Sequence, residues 1–203
     1  MVVRTSTLSG FHFDPTNYGP IVAGLIMPER LPELGPGRPN QAVRSQLEAL
    51  TPKTLLAPHG IRNQSLARAC LAALWLYHDF LDESHRISQE IDTVEGSYWH
   101  GIMHRREPDY GNAKYWFRRV GTHPITSALA AAASELVAGD AHGVEFNFLA
   151  MQPNWDHFRF VDLCEVAGGR DGLQRLCRRI QACEWQLLFN HCFRRACADA
   201  AKG

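Results

Sequence analysis

Along this chain, hydrophobic positions recur every three to four residues over long stretches, the period of helices that present one apolar face. The pattern predicts a helix over Ser65–Gln89, with Asn63 as its N-cap, and a second over Val94–Glu107, capped by Thr93 or Asp92 and ended by Pro108. Shorter helices are expected over Asn112–Val120, the alanine-rich Thr126–Ala138 and Pro153–Ala167. A final long helix runs from an Asp171 cap to about Ala198. The stretch Gly143–Met151 reads as a short strand or a plain connection. Before all of these, residues 1–62 are broken by Pro15, Pro20, Pro28, Pro32, Pro36, Pro39, Pro52 and Pro58. Proline fixes φ and removes a donor, so this segment reads as an arm of short pieces, with small helices near Pro20–Met27 and Gln41–Leu50. The expected fold is all-α: one domain, with residues 63–203 as a multi-helix bundle and the Pro/Gly-rich arm packed on it.

Polar residues interrupt the apolar faces in a regular way. Positions i, i+4 and i+7 of a helix fall within an arc of about 60°. His78, Asp82 and His85 have this spacing and continue the stripe of Leu71, Leu74 and Leu81. His100, His104 and Glu107 repeat it in the next helix, and Glu184 and His191 lie on the core face of the last. Unpaired buried charge costs several kcal/mol, so such faces imply a polar centre within the bundle. The short link after Gln89 lets the first two helices form an antiparallel hairpin, with His85 nearest His100 and His78 near the level of Glu107.

Two chemistries suit this pattern. Imidazoles four residues apart can share one ion from a single helix face, and facing helices are a usual source of bundle metal ligands. On this reading His78, Asp82, His85, His100 and His104 are candidate ligands for zinc, iron or manganese, with Glu107 and Glu184 as catalytic carboxylates. The other reading is a metal-free network of His–carboxylate pairs that fixes helix register. Arg105, Lys114 and Arg118 are candidate anchors for an anionic group, with Trp116 as a pocket wall. Arg105 and Arg106 fall off the histidine face, so they are expected at its rim, in a solvated ion-pair cluster. His123, before Pro124, reads as a turn histidine.

Residues 97–124 concentrate this chemistry. The motif W-H-x-I-M-H-R-R-E (Trp99–Glu107), followed by K-Y-W-F-R-R-V-G-x-H-P (Lys114–Pro124), resembles an uncharacterised family of bacterial and fungal proteins. A weaker likeness extends upstream through Tyr77–Ser88. That group has no established activity, so the resemblance implies no residue roles.

Composition narrows the classes. Lys+Arg and Asp+Glu are equal at 21 each, which speaks against a nucleic-acid binder. No apolar run reaches the roughly 18 residues of a membrane span, and the N-terminus lacks the apolar block of a signal peptide. The six cysteines include no C-x-x-C pair, and reduced thiols in a cytoplasmic protein are the expectation. Nucleophile elbows and Gly-rich phosphate loops are absent. The combined expectation is a small intracellular enzyme, a metal-dependent hydrolase or lyase acting on a small anionic metabolite. The alternative is a non-catalytic small-ligand-binding or protein-interaction module; either could form a homo-oligomer.

Overall fold

The computed structural model describes residues 11–27, 29–140 and 147–198. Among the described residues it is all-α, with eleven α-helices, two 3-10 turns and no strand. The arm contributes α1 (Gly19–Ile26), α2 (Arg44–Glu48) and α3 (Pro52–Leu55). The bundle follows as α4 (Gln64–Tyr77), α5 (Leu81–Ser88), α6 (Val94–Arg106), α7 (Tyr110–Val120) and α8 (Thr126–Asp140). It ends with α9 (Asn147–Met151), α10 (His157–Val166) and α11 (Asp171–Ala196). No helix among the described residues is long and apolar enough to cross a membrane.

Side-chain caps set several helix starts. The Asn63 side chain accepts from the Leu66 amide at 3.0 Å, Thr93 from Gly96 at 3.2 Å, and Asp109 from Asn112 at 3.1 Å. Asp156 accepts from the amides of Phe158 and Arg159, so α10 starts at His157 and not at the expected Pro153. At α11 the cap position is Arg170, and Asp171 sits in the first turn, where a carboxylate complements the helix dipole. Within Gly143–Met151, residues 147–151 form a helical turn and 143–146 lie outside the described residues.

The largest departure from expectation is a break in the long Ser65–Gln89 helix. It ends at Tyr77 and resumes at Leu81, with Asp79 in the left-handed region at φ 66°. Asparagine and aspartate tolerate that region better than other side chains. The buried Asp79 carboxylate is gripped by Arg106 at 2.6 Å and Arg30 at 2.7 Å, which holds the bend in place.

The second departure concerns α6. Every residue from Gly96 to Arg106 is buried, so this helix is the central rod of the molecule, not one with a single inward face. It packs on α7, α5 and α4, while α11 packs on α4, α8 and α10. A central helix has no wet side for its charges, so Arg105 and Arg106 are enclosed instead of lying at a solvated rim.

Arg106 also ties the arm to the bundle. It donates to the carbonyls of Leu76 at 2.7 Å and Gly35 at 3.1 Å. On α11, Arg178 donates to Pro32 O at 3.0 Å and Gln181 to Glu33 O at 3.0 Å. Phe13 and Tyr18 of the arm pack edge-on against Phe189, and Tyr18 also against Phe193. Burying an aromatic or aliphatic side chain of this size contributes about 1.5–3 kcal/mol, so the arm shares the core of the bundle.

Candidate metal centre

α5 packs against α6, and their contact brings three imidazoles together. The His100 and His104 rings lie nearly parallel, 4.7 Å apart between centroids. His85 meets them edge-on at 4.7 and 5.1 Å. One donor nitrogen from each ring lies within 4.8 Å of the others. Nitrogens sharing a tetrahedral zinc at the usual bond length sit about 3.3 Å apart. Trp116 of α7 stacks on His100 at 4.0 Å and forms one wall.

The protonation state suits ligation. Burial, followed by the neighbouring His104 and His85, pushes the His100 imidazole down to about 3, so it is neutral near pH 7. Burial also lowers His104, against the opposing pull of Glu107. His100 Nδ1 is enclosed with no hydrogen-bond partner. His104 is held from both sides: Nδ1 lies 3.0 Å from Glu107 Oε2, and Nε2 lies 3.1 Å from the Asn112 amide nitrogen. A proton on Nδ1 donates to Glu107, which leaves the Nε2 lone pair to accept from Asn112 or to bind an ion. A carboxylate behind a ligating histidine is a common device for orienting the ring and fixing its tautomer.

Two of the five expected ligands lie elsewhere. The bend at Asp79 breaks the helical phase on which their alignment depended. His78 faces the arm, with Nδ1 3.2 Å from Arg30 Nη1 and 3.3 Å from Asn40 Nδ2. Asp82 is exposed on the outer side of α5. The anion anchors also disperse: Lys114 pairs with Asp162, and Arg118 lies over the Phe158 ring. Of the four expected substrate contacts, Trp116 alone joins the three histidines. Glu107 sits at the C-terminal cap of α6 and contacts His104 directly.

Glu184 belongs to a different, sealed cluster. It is fully buried and holds Arg105 Nη2 at 2.5 Å, with Gln181 Oε1 accepting from the same nitrogen at 3.3 Å. Arg105 also lies over the Phe160 ring at 4.6 Å. His157 Nδ1 is 4.0 Å from the other Glu184 oxygen, and its ring stacks on Phe117 at 4.7 Å. Burial, then the Arg105 charge, holds His157 down to about 3. Tyr98 OH, both His157 nitrogens, Arg105 Nε and Nη1 and Glu184 Oε1 are all enclosed without hydrogen-bond partners.

A third cluster joins residues that no local spacing connects. Glu95 comes from the first turn of α6, His123 from the link before α8, and His191 from the last turns of α11. His191 Nε2 lies 3.3 Å from Glu95 Oε1, and the His123 and His191 rings are 4.7 Å apart. The His191 contact holds Glu95 down to about 2, and burial holds His123 down to about 4. His123 is therefore a buried cluster member and not a simple turn histidine. The one sequence clue was His191 on the core face of its helix, because the three positions lie 28 and 68 residues apart.

Compared with known proteins, the chain matches no family model, no curated protein and no solved structure.

Proposed function

We propose that the protein is a metal-dependent enzyme of the hydrolase or lyase type, acting on a small molecule at the His85–His100–His104 face. The observation that carries this reading is the convergence of three imidazole donors from two helices within 4.8 Å. Zinc or iron suits imidazole donors of this kind, and such an ion would polarise a substrate oxygen or lower the pKa of bound water. Glu107 orients His104 through Nδ1 and keeps its other nitrogen available. Asp109, 4.0 Å from the same ring and half exposed, stands beside Glu107 as a second proton acceptor at the rim. Trp116, stacked on His100, walls the site, and Arg119, 5.2 Å from that ring and paired with the exposed Asp92 at 3.5 Å, is the cation at this edge for an anionic substrate group.

A metal-free polar network is the second reading. It is favoured by His104, which already has Glu107 and Asn112 as partners. Elemental analysis of the purified chain separates the two. The enzyme reading expects His100→Ala/His104→Ala to lower the bound metal by one equivalent and to abolish any hydrolytic activity found by substrate screening. A metal content that His100→Ala/His104→Ala leaves unchanged from wild type would establish the network instead.

A further inference from the structure

The Glu95–His123–His191 cluster has the composition of a metal site in its own right. Two imidazoles and one carboxylate on one side of an ion, with other positions open, form a donor set that suits Fe²⁺, Mn²⁺ or Zn²⁺. Three separate elements supply these donors, and their ligand atoms lie within 4.8 Å of one another. Two of them already stand 3.3 Å apart, close to the spacing of neighbouring ligands on one ion. His123 is only 2% exposed, and its Nε2 is buried with no partner. A buried nitrogen left open beside a carboxylate and a second imidazole is a position that a cation fills. We propose that Glu95, His123 and His191 form a second divalent-cation site, independent of the three-histidine face.

The site is separate from the first. Glu95 precedes His100 by five residues and His104 by nine on the same helix, so the residues of the two centres are offset by about 7.5–13.5 Å along its axis. That is well beyond the roughly 3.5–4 Å of a binuclear centre, so each would hold its own ion. Loading has one local consequence at His123. Its Nδ1 now accepts from the Ile125 amide at 3.4 Å, and ligation through Nε2 places the ring proton on Nδ1. The bond forfeited is at the long limit for a hydrogen bond. An ion here clasps the start of α6, the link before α8 and the end of α11, three regions far apart in sequence.

The test uses the full chain, stripped with chelator and then loaded separately with Zn²⁺ and Mn²⁺, with bound metal counted after gel filtration. Wild type is expected to bind two ions of at least one of these metals. The His100→Ala/His104→Ala variant should retain one, and adding Glu95→Gln and His191→Gln should remove it. No ion in the His100→Ala/His104→Ala protein, or one surviving in the fourfold variant, overturns the proposal. Circular dichroism checks that each variant folds. Should any fail to fold, ring-proton NMR of wild type decides: His123 and His191 signals must shift on Zn²⁺ addition, and signals that stay in place overturn the site.

Discussion

At the residue scale, the Arg105–Glu184 pair is the most consequential feature that helical spacing placed wrongly. Spacing put Arg105 at a wet rim because it lies off the His100/His104 face, yet the helix carrying it is surrounded on all sides. Both side chains of the pair are fully shielded from solvent. Removing one partner strands the other charge in the core, which costs about 3–5 kcal/mol in comparable buried pairs. Glu184→Gln, nearly equal in volume, is therefore expected to lower unfolding free energy by about 3 kcal/mol in urea denaturation. A loss below about 1 kcal/mol would mean that water reaches the pair. The same residue illustrates what helical spacing could read. Its place on the core face of α11 was legible from Leu187 and Leu188 nearby, but its partner, 79 positions away, was not.

Helix starts are legible where a single side chain decides them, because capping is local chemistry: Asn63 caps α4, and of the two candidates Thr93 and Asp92 it is Thr93 that caps α6. The interruption after Tyr77 has a distant cause: Asp79 bends the chain to meet Arg106 and Arg30, contacts that no local periodicity encodes. With that bend, His78 and Asp82 leave the common stripe, while His85, beyond it, still meets His100 as the hairpin arithmetic required. The α5–α6 hairpin in turn depends on Gly96. A β-carbon built there would stand 2.2 Å from the carbonyl oxygen of Ile91, a backbone atom that cannot swing aside. Gly96→Ala should therefore destabilise the fold by about 1–3 kcal/mol despite the better helix propensity of alanine. It should also displace His85 from His100. Chemical denaturation measures the first effect and metal affinity the second; a fully stable variant with unchanged affinity would show that the turn relaxes freely.

For the whole molecule, buried histidines packed around the arginines of an enclosed central helix make stability depend on pH in a definite direction. His157 is the clearest contributor, since it is 5% exposed, stands beside the Arg105 charge and is held neutral down to about 3. In the unfolded chain it takes up a proton near the ordinary histidine value of about 6.5. Protons therefore favour the unfolded state: its contribution is complete above about pH 6.5 and is lost as pH falls toward 3. At pH 5 the loss from this one ring is on the order of 2 kcal/mol. The nearby Glu184 carboxylate, 4.0 Å away, would oppose this if its charge were free, but Arg105 already neutralises it at 2.5 Å. His157→Phe tests the balance, because both ring nitrogens lack hydrogen-bond partners and the ring already stacks on Phe117. The variant is expected to match wild type within about 1 kcal/mol at pH 7 and to exceed it by about 2 kcal/mol at pH 5. Thermal melts across that range read the difference directly. A variant much weaker than wild type at both pH values would mean that His157 is protonated in the fold and paired with Glu184, and that the interior of this bundle tolerates a second buried cation.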